Sequence, residues 1–185
     1  FLDYDLDGDL DIYILTNKLL LDRSNKLIDR VVDGSSITTD RLYRNDGDMK
    51  FTNVSTEAGI TNEGFGLGIA VLDVNHDQYP DLYISNDFIT NDLLYVNQGN
   101  GTFVNEIDTY LKHQSRSSMG NDVADLNQDG HSEIITLDML PATNARVKQM
   151  FDANAFQFHE VMDRKGYEQQ YTRNTLQWNQ GGETF

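Results

Sequence analysis

The stretch Asp3-Tyr4-Asp5-Leu6-Asp7-Gly8-Asp9-Leu10-Asp11 recurs twice. It returns as Asp73-Val74-Asn75-His76-Asp77-Gln78-Tyr79-Pro80-Asp81 and as Asp125-Leu126-Asn127-Gln128-Asp129-Gly130-His131-Ser132-Glu133. Each copy has Asp or Asn at positions 1, 3 and 5 and an acid at position 9. A second element follows each copy: Leu42-Tyr43-Arg44-Asn45-Asp46-Gly47, Leu94-Tyr95-Val96-Asn97-Gln98-Gly99 and Leu176-Gln177-Trp178-Asn179-Gln180-Gly181. A phenylalanine comes soon after, at Phe51, Phe103 and Phe185. Recurrence of two elements in a constant order is the signature of a repeat architecture.

The spacing sets the size of the unit. Asp73 to Asp125 and Asn45 to Asn97 are both 52 residues. Asp3 to Asp73 is 70 and Asn97 to Asn179 is 82, so the excesses of 18 and 30 mark insertions in 18–39 and 141–172. A unit of about 50 residues is the size of a four-stranded propeller blade. The flanks agree, being short β-branched and aromatic runs bounded by Asp, Asn and Gly. Ile69-Ala70-Val71-Leu72 enters the second acidic loop and Leu82-Tyr83-Ile84 leaves it. Ile12-Tyr13-Ile14-Leu15 leaves the first loop; Val123-Ala124 and Ile134-Ile135-Thr136-Leu137 flank the third. Leu94-Tyr95-Val96, a turn over 97–101 and Thr102-Phe103-Val104 read as a hairpin. One unit is thus predicted to have strands at 66–72, 82–86, 93–97 and 102–106.

The expected architecture is all-β over 1–185, a partial β-propeller of about three blades from a larger ring, with acidic loops at 3–11, 73–81 and 125–133. The insertion at 18–39 reads as a loop with a helical turn. Within 141–172, Val147, Met150, Phe151, Ala155, Phe158, Val161 and Met162 fall three or four apart, which predicts one amphipathic helix or two short ones ending near Gly166. That stripe is expected to pack against the edge of a blade. The chain opens within one acidic loop and closes within a hairpin, and it reads as a piece of a longer protein.

Carboxylates at alternate positions of one loop repel each other unless a cation lies between them. Calcium accepts six to eight oxygen ligands at about 2.3–2.6 Å, and Asp and Asn in a tight loop supply them. The EF-hand alternative requires a Glu at position 12 and a following helix. Position 12 is Ile14, Ile84 and Thr136, all within predicted strands, whereas the closing acid sits at position 9. The predicted ligands are Asp3, Asp5, Asp7 and Asp11; Asp73, Asn75, Asp77 and Asp81; and Asp125, Asn127, Asp129 and Glu133. At position 7, occupied by Asp9, Tyr79 and His131, the variable side chain points to ligation by the backbone carbonyl. Gly at position 6 allows a sharp bend, and Gln78 departs from it. Magnesium, which demands tighter octahedral geometry, suits these loops less well. Three Ca²⁺ are expected, one per loop, in a structural role; they take the net charge from −16 to about −10.

Composition narrows the classes further. There are 30 Asp and Glu against 14 Lys and Arg, so the overall field repels phosphates, and no basic block supports a nucleic-acid footprint. No run reaches the roughly 18 apolar residues of a membrane span. With no cysteine there is no disulfide, zinc–thiolate site or thiol nucleophile. Nine Tyr, nine Phe and one Trp argue against a disordered acidic tail.

The loop pattern Asp-x-[Asp/Asn]-x-Asp-Gly-x-x-Asp between strands resembles the FG-GAP and VCBS repeats of integrin α-chain propellers. More narrowly, Gly66 to Asp73 and Asp81 to Phe88 are similar to the cartilage-acidic-protein and ASPIC/UnbV group. Met119 to Asp125, Leu137 to Pro141 and Arg173 to Gln177 resemble large bacterial members, notably from Bacteroidetes. The resemblance implies a seven- or eight-bladed calcium-bearing propeller, exported and displayed at the cell surface. It further implies a binding or adhesion module, in some bacterial members a surface lipoprotein working with outer-membrane nutrient transporters. The ASPIC/UnbV segment itself is not in the chain.

Catalysis has weaker support. His76 and His131 lie inside acidic loops. His113 stands near Ser115, Ser117 and Ser118, but no Gly-x-Ser-x-Gly elbow accompanies it. Asp87, Asp92, Asp122 and Asp138 fall near strand ends, where they suit turn capping or support of the metal loops better than acid–base work. His159 completes the histidines. The expectation is therefore a non-enzymatic module for a protein, peptide or glycan ligand, presenting aromatics such as Tyr167, Tyr171, Phe65 or Phe88 on one face. The alternatives are a scaffold subunit whose inserts bury against a partner and, behind it, a hydrolase or lyase on a propeller scaffold.

Overall fold

A computed structural model describes residues 1–17, 29–149 and 155–185. The strands are β1 (Ile12–Ile14), β2 (Arg41–Asn45), β3 (Phe51–Asn53), β4 (Gly66–Leu72), β5 (Asp81–Asn86), β6 (Leu93–Asn97) and β7 (Phe103–Asn105). After a single turn of helix, α1 (Ile107–Tyr110), come β8 (Gln114–Ser115), β9 (Ser118–Ala124) and β10 (Glu133–Asp138). Then follow α2 (Asn144–Gln149), α3 (Ala155–Arg164), β11 (Gln170–Tyr171) and β12 (Thr175–Gln177).

Three antiparallel sheets result, in the orders β1-β2-β3, β4-β5-β6-β7 and β9-β10-β12, and β8 pairs with β11 in parallel as a separate ribbon. Each acidic loop enters the strand that its closing acid begins or adjoins: β1, β5 and β10. The middle sheet has the four strands read from the sequence, with no end shifted by more than one residue. The arrangement is all-β and consistent with the β-propeller type, and the sheets do not close into a ring.

Strand alternation explains how the sheets stack. Along β5 and β6 every residue is buried, because successive side chains enter different cores. Leu82, Ile84, Leu93 and Tyr95 meet Leu2, Tyr4 and Leu42 of the first unit. Tyr83, Leu94 and Val96 meet Ile134 of the third. A strand covered on both faces reads as a near-continuous apolar run, which is what Leu93-Leu94-Tyr95-Val96 is. Each fully buried Leu or Ile contributes about 1.5–3 kcal/mol. Gly68 lets β4 approach β9: a Cβ there would lie 3.0 Å from the Asn121 nitrogen and 2.7 Å from Ser85 Oγ.

The two insertions meet over one end of the middle sheet. Lys165 Nζ reaches Asp29 Oδ1 at 2.7 Å, and Arg30 donates to the Gly166 carbonyl at 2.5 Å. Met162 of α3 is buried with Ile89 and Tyr167, while Val147 of α2 is exposed. Met150 and Phe151 of the predicted stripe, and 18–28 of the predicted loop, lie outside the described residues. Of the four aromatics expected on a binding face, Phe65 and Tyr167 are buried, Phe88 packs edge-on against Phe65 at 5.0 Å, and Tyr171 is 43% exposed. Tyr167 packs with Met162 of α3 and Ile89, where burial outweighs display.

Candidate metal centres

The three acidic loops share one hydrogen-bond scheme. The position-1 carboxylate accepts the N–H groups of positions 5 and 6. Asp3 accepts from Asp7 and Gly8 at 3.1 and 3.0 Å, Asp73 from Asp77 and Gln78 at 3.1 and 2.9 Å, and Asp125 from Asp129 and Gly130 at 3.1 and 2.9 Å. The position-5 carboxylate accepts the N–H of position 7: Asp9 to Asp7, Tyr79 to Asp77 and His131 to Asp129, at 2.9, 2.8 and 2.9 Å. The closing acid accepts the N–H of position 2: Tyr4 to Asp11, Val74 to Asp81 and Leu126 to Glu133, at 3.1, 2.8 and 2.7 Å. These bonds curl each loop inward, which requires left-handed backbone at positions 4 and 6. Leu6, His76 and Gln128 have φ of 58°, 60° and 64°, and Gly8, Gln78 and Gly130 have 95°, 74° and 91°. Gln78 therefore adopts the bend that glycine supplies elsewhere, with the strain of a Cβ in that region.

The second recurring element locks the loop from outside. Asn45 and Asn97 donate their backbone N–H to Asp11 and Asp81, at 2.8 and 2.7 Å. The side-chain amides of Asn45, Asn97 and Asn179 donate to the carbonyls of Leu10, Pro80 and Ser132. Both recurring motifs are thus halves of one structural device.

Among the described residues, oxygens of Asp3, Asp5 and Asp11 all lie within 4.8 Å of one another. Two ligands on opposite sides of one calcium stand about that far apart, twice a bond of roughly 2.4 Å. Asp5 Oδ1 is buried and has no hydrogen-bond partner, and so is Glu133 Oε1 in the third loop. Such atoms are costly unless something compensates them. The oxygen-only donor set and the orphaned oxygens fit a hard divalent cation. The first loop brings together three of its predicted ligands, whereas Asp7 is engaged by Asp9 and falls outside that cluster. In the other loops Asn75 and Asn127 donate to Asp77 and Asp129, at 2.9 and 2.8 Å.

Electrostatics follow the same geometry. Burial, then the neighbouring Asp7 and Asp3, raise the Asp5 carboxyl. Burial likewise raises Asp11, with Asp5 and Asp7 adding to it. Asp81 is pushed up to about 7, chiefly by burial, with Asp77 and Asp73 contributing. Asp129 is lowered by the His131 N–H and the Asn127 amide. A cation among these groups would relieve the repulsion and favour their ionised forms.

At the opposite end of the sheets lies a second repeated clamp that the sequence reading did not identify. Asp40, Asp92 and Asn174 accept the N–H of Thr16, Asn86 and Asp138, at 2.7, 2.8 and 2.9 Å. Tyr13 donates its hydroxyl to Asp40 at 2.9 Å and Tyr83 donates to Asp92 at 2.6 Å. Asp92 also accepts from Ser118 of the next sheet at 2.9 Å. Burial pushes Asp40 up to about 6 and Asp92 up to about 7. The visible signal was the residue three places before each Tyr43, Tyr95 and Gln177: Asp40, Asp92 and Asn174.

The histidines take other places. His76 and His131, in adjacent loops, have ring centroids 4.0 Å apart. Ser115 Oγ donates to Asp138 at 2.7 Å, and the His113 ring faces Tyr171 at 6.0 Å. Asp87 accepts the N–H of Phe88 and Asp122 that of Val123.

No curated protein matches the chain. The FG-GAP-like repeat family matches it over residues 3–84 and 73–136, two overlapping segments that include all three acidic loops. Those segments cover more than half of the sequence, and the chain belongs to the FG-GAP-like repeat family.

Proposed function

We propose that this chain is a calcium-stabilised part of a β-propeller that serves as an extracellular, non-enzymatic binding or adhesion module at the bacterial cell surface. The observation that carries the reading is the convergence of Asp3, Asp5 and Asp11 oxygens within 4.8 Å, with one Asp5 oxygen buried and unpartnered. In each loop the residues at positions 1, 3, 5 and 9 and the carbonyl of position 7 hold the ion. Calcium supplies charge compensation and ties the two strands flanking each loop. An ion that binds only the folded chain stabilises it by about 2.7 kcal/mol at a hundredfold excess over its Kd. The role in an accessory of an outer-membrane nutrient transporter, and membership of the ASPIC/UnbV group, rest on the sequence resemblance alone.

A second reading, a scaffold subunit built into a larger ring or complex, is favoured by the outward face of the third sheet. Ile135, Leu137, Leu176 and Trp178 are exposed there. By repeat register Ile135, Leu176 and Trp178 match Tyr83, Leu94 and Val96, which the third sheet covers in the middle one. Such a face suits a further blade. Thermal unfolding with calcium and with EGTA, together with a count of bound metal, tests the main reading. The expected result is a Tm lowered by at least several degrees in EGTA and about one calcium per loop. No bound calcium and an unchanged Tm would sink it.

A further inference from the structure

The junction between the second and third acidic loops carries two side chains that the calcium reading does not use. His76 stands at position 4 of the second loop and His131 at position 7 of the third. Their ring centroids lie 4.0 Å apart, with the ring planes at 59°. Stacking of the units brings these two positions together. At the preceding junction Leu6, at position 4 of the first loop, and Tyr79, at position 7 of the second, line one groove. That pair offers no nitrogen, so the repeat does not demand imidazoles at the second junction.

His76 is exposed. His131 Nδ1 is sealed from solvent and has no hydrogen-bond partner, so Nε2 is the nitrogen this ring offers outward. A neutral ring with its proton on Nδ1 leaves Nε2 as a lone-pair donor. The surrounding field is negative. Each of the two loops carries three acids, and with a calcium bound each keeps one negative charge. The carboxyl of Asp129, lowered first by the His131 N–H and the Asn127 amide, is lowered further by the charge of both rings, which places it beside the pair.

We propose that His76 and His131 form a site for a divalent transition ion of the zinc class, bridging the second and third loops. Imidazole suits zinc, copper and nickel, whereas calcium keeps to the oxygens of the loops, so the two kinds of ion do not compete. With Zn–N bonds of about 2.0–2.1 Å, two imidazoles on one tetrahedral ion hold their ring centroids about 5 Å apart. The ion therefore parts the rings by about 1 Å, a movement open to the exposed His76 side chain. Among the described residues no third His, Asp or Glu joins the pair in a close group, so water completes the shell. The bound ion adds a link between adjacent units.

The test is titration of Zn²⁺ into the chain in saturating calcium, followed by calorimetry, with bound calcium counted separately. One zinc per chain is expected, and His76→Ala and His131→Ala are each expected to weaken it about tenfold or more. Loaded with Cu²⁺ instead, the site is expected to show two nitrogen ligands by electron paramagnetic resonance, and one in either variant. An unchanged calcium count and zinc-free Tm check that the variants fold. No zinc binding refutes the site. Binding that both variants retain also refutes it and assigns the ion to the loop carboxylates. Weakening in one variant alone refutes the bridge. Zinc binding without bound calcium would overturn the calcium reading and leave this site standing, so the two fail separately.

Discussion

Replacement of Asp92 by Asn should reshape how stability depends on pH. Asp92 is fully enclosed, and its carboxylate accepts from Tyr83, Ser118 and the Asn86 N–H. Burial dominates those bonds and sets its pKa at about 7, against 3.8 in the unfolded chain. The folded state therefore holds this proton more tightly. Its stabilising effect is full below about pH 4, declines as pH rises, and is gone once pH has passed through 7. Between pH 5 and 8 the wild type should lose about 3 kcal/mol through this group alone. Asn keeps the shape and one acceptor but does not titrate. The stability difference between variant and wild type should thus shift by about 3 kcal/mol in the variant's favour from pH 5 to pH 8. Urea unfolding of both proteins at pH 5, 6, 7 and 8, in saturating calcium, measures it, and the subtraction cancels the groups that both share. Two parallel stability curves would refute the reasoning, because they would mean that Asp92 is ionised in the folded state across the whole range.

Other outcomes follow from single contacts. Tyr83→Phe removes the hydroxyl bonded to Asp92 at 2.6 Å, and should cost about 1–3 kcal/mol in urea unfolding at neutral pH. Gln78→Gly relieves a side chain held at φ 74° and should stabilise by up to about 1 kcal/mol, raising Tm by about 2–4 °C. Gly59→Ala should be severe and lower Tm sharply, because a Cβ at φ 80° collides with the Phe103 carbonyl. Asp5→Asn removes the carboxylate that carries the unpartnered oxygen and should weaken metal binding at the first loop alone, seen in calorimetry as the loss of about one calcium per chain.

The acidic loops were legible because each is a local object. Within nine contiguous residues, the acids at positions 1, 5 and 9 accept N–H groups of the same loop, so spacing alone made each loop visible, while the lock from Asn45 and Asn97 comes from the next strand. The strands beside them were legible for a similar reason: runs such as Leu93-Leu94-Tyr95-Val96 can only be two-faced. The departure at Gln78 was also visible, and its outcome, a left-handed residue that keeps the loop in register, follows from the bonds around it. Two of the aromatics expected on a face are buried instead, because Tyr167 packs with Met162 and Ile89 across the insertion and Phe65 packs edge-on against Phe88 beside β4, contacts between residues far apart in the chain.

The sequence by itself determined the repeat, the three loops and the strand pattern, since these depend on neighbours within one unit. Tertiary structure decided which acids become clamps between strands. Asp40 and Asp92 meet Thr16 and Asn86 only once the strands pair, and Ser118 reaches Asp92 only once the next sheet is stacked. It also decided that His76 and His131, far apart in the chain, bring their rings together across two loops. The physical reason is range. A loop's hydrogen bonds are fixed by backbone geometry over a few residues, whereas desolvation and the pairing of a buried charge are set by whatever the fold brings from far along the chain.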